Sequence, residues 1–121
     1  MAGQDIQERT AEYALRSIKV YRYLQRKRDG VGLILAKQFL RCATSIGANV
    51  TEAQSGESRA DFVHKYAIAQ KEAKESRYWL KLMLRAGLVP ASNLTALIQE
   101  TEEIVAVITM IIVNAKKGTP K

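Results

Sequence analysis

The sequence is poor in the residues that cross-link small proteins or bind metals. Among its 121 residues there is one cysteine, Cys42, and one histidine, His64, so an internal disulfide and a cysteine- or histidine-based zinc site are both excluded. The chain has only 2 prolines and 7 glycines, which excludes collagen-like and low-complexity proteins. We therefore expect no metal and no other cofactor, and a fold that depends on a packed core.

Hydrophobic runs long enough to cross a membrane are missing as well. The longest runs, 104–108 and 110–113, are separated by Thr109, whereas a membrane-spanning helix needs roughly 20 apolar residues. No apolar run follows a basic cluster at the start of the sequence, so we expect no signal peptide. These absences predict a cytoplasmic protein with no membrane partner.

The composition that remains is typical of one folded domain. The chain is 47% hydrophobic and 26% charged, and its length matches the usual domain size of about 100–150 residues. We therefore predict a single domain over residues 1–121. Clusters of turn residues at 28–32, 54–58 and 87–90 predict helices at about 5–28, 33–54, 59–86 and 93–116.

Capping residues support these helix boundaries. Ser58 followed by Asp61 resembles a capping box at the start of the third helix. Gly87 is a typical helix stop, and Ser92 or Asn93 is expected to cap the fourth helix.

Apolar residues recur at three- and four-residue steps in all four segments, which is the spacing of one helical face. Connections of a few residues favour antiparallel neighbours. The sequence therefore predicts an all-α protein, an antiparallel up-and-down four-helix bundle. The predicted core face of the third helix is Phe62, Tyr66, Ala69, Ala73, Leu80 and Met83, and that of the first is Tyr13, Ala14, Ile18, Tyr21 and Leu24.

Two helices carry more apolar surface than one bundle needs. On the third helix a second apolar strip includes Ile68, Trp79 and Leu82, and the fourth helix is apolar nearly all round near Ile111. A helix that is hydrophobic on two sides is usually buried against something else. We predict that these four residues form the interface of a homo-oligomer, the alternative being deep burial within a single bundle.

No arrangement of residues in the sequence points to catalysis. Cys42 and His64 lack a third group that would orient them as a nucleophilic pair, and no glycine-rich phosphate loop occurs. We therefore predict that the protein is not an enzyme. Ser45, Asn49 and Glu52 share one helical face. They are consistent either with a polar pocket or with a hydrogen-bonded network that fixes helix register.

Positive charge is the sharpest functional signal. The net charge is +7, and residues 1–30 and 58–90 carry the whole excess. On the third helix five cations fall within an arc of roughly 120° that contains no acidic residue of that helix, and Tyr78 lies among them. Such a row suits contacts to nucleic-acid phosphates. The predicted nucleic-acid-binding residues are Lys71, Lys74, Arg77, Lys81 and Arg85 on the third helix and Arg22 and Arg26 on the first.

Two alternatives to nucleic-acid binding remain open from the charge pattern. The row of cations could be a solvated face that keeps the protein soluble, or it could bind an acidic protein partner. In the second case the protein would be an interaction scaffold without direct contact to RNA or DNA.

The second helix also carries a sequence signature. The stretch Gln-Phe-Leu-Arg-Cys-Ala-Thr-Ser-Ile-Gly-Ala-Asn-Val at 38–50, with Glu52 and Ala53, resembles the signature of the 23S rRNA-intervening-sequence protein family. The similarity continues through Asp61-Phe62, Lys71-Glu72-Ala73 and Tyr78-Trp79-Leu80. It implies a bacterial four-helix bundle that assembles as a ring-like homopentamer and has no accepted catalytic residues.

A more distant similarity bears on partners. The family is similar to the accessory variability protein of diversity-generating retroelements. That similarity implies a basic oligomer that binds nucleic acid and a reverse transcriptase.

Overall fold

The computed structural model describes residues 2–118, with only the backbone for residues 2–5. It contains four helices, α1 (Ala2–Lys27), α2 (Gly30–Ala53), α3 (Arg59–Arg85) and α4 (Ala91–Lys117). Each helix packs against its neighbours in the chain, and α1 also contacts α4, which closes the bundle. The predicted all-α four-helix bundle is confirmed. Residues 1 and 119–121 of the predicted domain lie outside the described residues.

The buried side chains form one seam along each helix at alternating steps of three and four residues. This heptad spacing keeps the seam facing the bundle axis over the whole length of long, nearly antiparallel helices. The fully or almost fully buried seam positions are Ile6, Thr10, Tyr13, Ser17, Val20 and Leu24 in α1, Gly32, Ala36, Phe39, Ala43, Ile46, Val50 and Ala53 in α2, Tyr66, Ala69, Ala73, Ser76, Leu80 and Met83 in α3, and Leu94, Leu97, Thr101, Ile104 and Ile108 in α4.

The predicted core faces agree with these seams in part. In α3 five of the six predicted residues are buried, and Phe62 is half-buried. In α1 the predicted face is rotated towards α2, because Ala14, Ile18 and Tyr21 are half-buried and the seam instead includes Ser17. The Ser17 hydroxyl donates to the Ala14 carbonyl, 2.6 Å away, so its burial leaves no hydroxyl unsatisfied.

The turn between α1 and α2 is shorter than predicted, because α2 begins at Gly30 rather than near 33. Arg28 adopts the left-handed conformation, with φ 56. The Asp29 carboxylate then caps α2 by accepting a hydrogen bond from the Gly32 amide, 2.9 Å away. Gly32 lets α2 pack closely against α1, since a Cβ at this position would lie 2.9 Å from a Leu24 methyl group.

The other two turns end and begin their helices in different ways. At the end of α3, Gly87 has φ 69, and the amides of Gly87 and Leu88 bond back into the last turn as in a Schellman motif. Ser58 caps α3 as predicted, by accepting a hydrogen bond from the Asp61 amide. The predicted capping of α4 by Ser92 or Asn93 is wrong. That helix begins earlier, at Ala91 after Pro90, and has no side-chain cap.

The alternating helix directions give the bundle two unlike ends. The α1–α2 and α3–α4 turns lie together at one end, which we call the turn end. The α2–α3 turn and the outer ends of α1 and α4 lie at the opposite end. Within residues 2–118, no helix combines the length and the apolar character needed to cross a membrane.

Candidate nucleic-acid interface

The five cations predicted on α3, which we call the α3 stripe, lie on its outer face on the side of α4. Lys71, Lys74, Lys81 and Arg85 are exposed, and Arg77 is half-buried. Within the described part of the chain, Lys71, Lys74 and Arg85 form no ion pair or side-chain hydrogen bond. Their charges are therefore directed to solvent.

An acidic residue of α4 reaches the middle of the α3 stripe. Glu102 lies 2.8 Å from Arg77 Nη1 and 3.8 Å from Lys81 Nζ. The hydrogen bond from Arg77 lowers the pKa of Glu102, so this carboxylate stays ionised at neutral pH. The predicted arc contains no acidic residue of α3 itself, but the antiparallel helix α4 places Glu102 beside it. The stripe thus has unpaired charge at its two ends and paired charge between them.

Cations of α1 lie at the same end of the bundle as the last cations of the α3 stripe, although α1 and α3 are diagonally opposed and do not pack as neighbours within the described residues. Because α1 and α3 run in the same direction, Arg22 and Arg26 lie at the same end as Lys81 and Arg85, and all four are exposed. Lys27 and Arg28 add two more exposed cations. The only acidic residue between positions 13 and 51 is Asp29, whose carboxylate caps α2. The turn end is therefore strongly positive.

A groove at the turn end lies between α1 and α4, and we call it the α1–α4 groove. It has a volume of about 380 Å³. Its lining residues are Arg16, Lys19, Val20, Tyr23, Arg26, Val89, Asn93 and Leu97. This groove was not predicted from the sequence. The signal that could have found it is the heptad spacing of polar residues on α1 and α4. Arg16 lies seven residues after Arg9, and Asn93 lies seven residues before Glu100, so Arg16 and Asn93 face each other as Arg9 and Glu100 do.

Tyr78 stands at the surface within the α3 stripe. Its side chain is 58% exposed, and its ring packs edge-on against Trp79 with centroids 5.0 Å apart. This contact holds the phenol ring beside Lys74 and Lys81, which lie one turn away on either side along α3. An exposed aromatic ring between cations is a surface on which a nucleic-acid base can stack.

The four predicted interface residues are half-buried in the single chain. Trp79 and Ile111 pack against the chain's own core, so part of their apolar surface is already covered. The most exposed large aliphatic side chains of the described residues were not predicted as interface residues, because they occur singly or in pairs at outward heptad positions. They are Leu15, Val31, Ile34, Met110 and Val113, between 38% and 65% exposed.

Cys42 belongs to a small cluster with two acids. Its sulfur and one oxygen each of Glu72 and Glu75 lie within 4.8 Å of one another. Arg41 Nη2 lies 2.8 Å from Glu75, and Arg41 Nη1 lies 3.8 Å from Glu72 Oε1, which is buried and has no hydrogen-bond partner in the described part of the chain. Burial and the neighbouring Glu75 raise the pKa of the Cys42 thiol to about 12. A thiol with this pKa is protonated at neutral pH and is therefore not a ready nucleophile, and His64 lies exposed near the start of α3.

Ser45, Asn49 and Glu52 form neither of the two arrangements considered from the sequence. The Asn49 amide donates to the Ser45 carbonyl in its own helix, at 2.9 Å. Glu52 instead pairs with Lys65 of α3, at 2.8 Å. These contacts are local and surface-exposed in part. The residue that permits close helix packing is Gly47, where a Cβ would lie 3.3 Å from the Thr10 hydroxyl of α1.

Comparison with known proteins places this architecture in context. The model of the 23S rRNA-intervening sequence protein family matches residues 3–110. The chain is also similar to a crystallised protein with unknown function from the S23 ribosomal protein family of Bacteroides thetaiotaomicron VPI-5482. The two share 35% of their residues and superimpose with a TM-score of 0.87, over 93% of this chain and 98% of that one. No curated protein matches the chain.

Proposed function

The chain belongs to the 23S rRNA-intervening sequence protein family, and from its positive turn end we propose that it is a non-enzymatic, homo-oligomeric helical bundle that binds the backbone of RNA or DNA. The observation that carries the proposal is the concentration of exposed cations at one end of the bundle, contributed by two diagonally opposed helices. Arg22 and Arg26 of α1 and Lys81 and Arg85 of α3 share one end of the bundle. Of these four, only Lys81 has an acidic partner within the described residues.

Backbone binding suits this surface better than base-specific recognition. Long, exposed lysine and arginine side chains reach phosphate oxygens without a fixed geometry, and each contact releases counterions from the nucleic acid. The cations lie on outer helix faces and follow no groove-reading motif. Affinity is therefore expected to depend on charge and salt more than on base sequence.

The first experiment measures binding of labelled structured RNA and duplex DNA by fluorescence anisotropy between about 50 and 200 mM salt. The test variant combines Arg22→Gln, Lys81→Gln and Arg85→Gln. Removing three phosphate contacts is expected to lower the magnitude of the log–log salt slope by about 2 to 3 and to weaken binding at least about tenfold.

The matched control removes the same charge from the opposite end. It combines Lys65→Gln, Lys116→Gln and Lys117→Gln, and we expect its affinity to stay within about twofold of the parent protein at moderate salt, where screening confines each charge to its surroundings. Equal losses in both variants would mean that net charge, not the turn end, determines binding. Absence of binding by the parent protein even at low salt would reject the proposal.

The alternative is a protein-interaction scaffold, for example an accessory subunit of a reverse transcriptase. One observation favours it: Val31 and Ile34, at the start of α2, are 64% and 65% exposed beside the basic surface. Apolar and basic groups together are typical of sites that bind acidic protein partners. A partner that remains bound after nuclease treatment, and is released by Ile34→Ser, would support this alternative.

Self-association is the second part of the proposal. Exposed apolar residues on three helices exceed what a solitary bundle needs, with Leu15 on α1, Val31 and Ile34 on α2, and Met110 on α4. Homo-oligomers are the commonest assemblies of soluble proteins. The family resemblance adds the expectation of five subunits.

A further inference from the structure

The α1–α4 groove lies one heptad beyond an ion-pair cluster that closes the same interface. Arg9 of α1 pairs with Glu100 of α4 at 2.8 Å and with Glu103 at 2.9 Å. Seven residues further along α1 is Arg16, and seven residues back along α4 is Asn93. In an antiparallel helix pair these two positions meet at the next level of the bundle. The acidic partner present at one level is therefore replaced by a neutral amide at the next.

This replacement leaves a concentration of unneutralised charge in the α1–α4 groove. Arg16, Lys19 and Arg26 line it, no acidic residue does, and within the described residues none of the three forms an ion pair. Arg16 and Arg26 are separated by about 15 Å along α1 at the usual helical rise. That span is longer than a single phosphate group and suits a chain of phosphates.

The floor of the groove has a different chemistry from its rim. Val20, Val89 and Leu97 form an apolar floor, and Tyr23 lines one side. Lys27 Nζ lies 5.7 Å from the centre of the Tyr23 ring, so a cation also borders the aromatic group. A volume of about 380 Å³ is within the range of small-ligand sites. The matching ligand is a flat, weakly polar group attached to phosphates.

We propose that the α1–α4 groove binds an unpaired nucleotide of a single-stranded nucleic acid. Arg16, Lys19 and Arg26 contact the phosphates, and the base lies against Tyr23 and the apolar floor. This combination of a basic track with an aromatic side chain is how proteins hold single strands. A duplex reaches only the rim, because its bases are stacked inside and the groove is too small to admit it. The inference rests on the proposed function and adds a preference for unpaired strands.

One substitution places the missing carboxylate in the groove without disturbing the fold. Asn93→Glu repeats the Arg9–Glu100 arrangement one heptad along, so that the introduced carboxylate faces Arg16 and neutralises one of the three cations in the groove. A carboxylate in the first turn of α4 is also favourable for the helix. Ser92→Glu is the matched control, since it adds the same charge one residue away at an exposed position that does not line the groove. Arg16→Gln tests the cation directly.

The experiment compares the affinities of a fluorescent single strand of about 12 nucleotides and its duplex for the parent protein and the three variants. We expect the parent protein to prefer the single strand. Asn93→Glu and Arg16→Gln should each weaken single-strand binding at least about fivefold and duplex binding less than about twofold, whereas Ser92→Glu should preserve the preference. Thermal unfolding confirms that Asn93→Glu is folded.

The outcomes separate the two proposals. If the parent protein binds neither probe at low salt, the proposed function itself fails. If it binds both, but Asn93→Glu leaves single-strand affinity unchanged or weakens both probes equally, nucleic-acid binding stands and the groove is not the single-strand site. A loss confined to the single strand supports the groove.

Discussion

At the scale of single residues, the two turns at the turn end place unlike residues in the same backbone conformation. Arg28 has φ 56 and Gly87 has φ 69, and each follows a helix whose last carbonyls accept the amides of the turn. The left-handed conformation costs a residue with a Cβ roughly 1–2 kcal/mol, whereas glycine adopts it freely. The α1–α2 turn therefore contains strain that the α3–α4 turn avoids.

Substitutions at these two positions should change the free energy of unfolding in opposite directions. Arg28→Gly is expected to raise the free energy of unfolding by about 0.5 kcal/mol, since the greater freedom of glycine in the unfolded chain offsets part of the relieved strain. Gly87→Ala should lower it by about 1 kcal/mol through the backbone alone, because no atom lies within 4 Å of the added Cβ. Urea denaturation measures both.

A second variant separates backbone strain from charge at the same turn. Arg28→Ala removes the same cation as Arg28→Gly but keeps a Cβ in the left-handed conformation. If the two variants were equally stable, the loss of a positive charge among Arg26 and Lys27 would account for the gain, and backbone strain would not.

At the scale of secondary-structure elements, ion pairs join helices that the heptad seams already align. They connect α1 to α4 through Arg9 and Glu100, α2 to α3 through Arg41 and Glu75, and α3 to α4 through Arg77 and Glu102. Each pair sits beside the apolar seam, where the side chains are partly exposed. Pairs of this kind contribute modestly to stability but favour one helix register over its neighbours.

The pair between α3 and α4 makes stability depend on pH in a definite direction. Arg77 holds the pKa of Glu102 below its ordinary value of 4.5, so the folded state binds this proton less readily than the unfolded chain. The contribution is therefore complete above about pH 4.5 and is lost as pH falls through the lowered pKa. With Glu102 40% exposed, we expect it to be about 0.5 kcal/mol.

The test is the difference in urea-unfolding free energy between the parent protein and Glu102→Gln. This difference should be present at neutral pH, shrink as the solution is acidified well below pH 4.5, and diminish in high salt. Glu57→Gln, which removes an exposed carboxylate near the opposite end, serves as control. A difference that stays constant with pH would mean that Glu102 stabilises the bundle through packing rather than charge.

The element scale also shows what could be predicted from the sequence and what could not. Apolar spacing within one helix predicted Tyr66, Leu80 and Met83 as core residues, since it depends on helical geometry alone. Thr101 was not predicted, because the spacing within one helix does not show whether a buried hydroxyl finds hydrogen-bond partners, the condition under which a polar residue is usually buried. The Leu97 carbonyl and the Tyr13 hydroxyl of α1 meet that condition.

At the scale of the whole molecule, the positive surface was only partly predictable. The sequence shows which helices carry cations, and the antiparallel order places Arg22 and Arg85 at one end. Which cations are paired depends on the register between helices. Because of this register, Glu102 faces Arg77, whereas Asn93 and Arg16 line the same groove. Local spacing does not contain that information. The site was therefore predicted as a set of charges, and its groove was not.

Assembly of the whole molecule provides the last prediction. Charged substitutions at Trp79 or Ile111 would confuse dissociation with unfolding, because both side chains pack against the chain's own core. Leu82 is half-buried on the predicted interface strip of α3. In Leu82→Lys the long aliphatic stem can still cover neighbouring apolar groups while its ammonium opposes burial between subunits. We expect the parent protein to sediment as an oligomer and Leu82→Lys as a folded monomer.

Met110→Lys tests the other exposed apolar surface, since Met110 is 55% exposed on α4 and lies outside the predicted strip. Sedimentation equilibrium gives the mass of each species, and circular dichroism shows whether its helices are intact. Dissociation by Met110→Lys but not by Leu82→Lys would move the interface from the α3 strip to α4. A parent protein that sediments as a monomer would contradict self-association. The half-buried and exposed apolar residues on its several faces would then remain in contact with solvent rather than with a second copy of the chain.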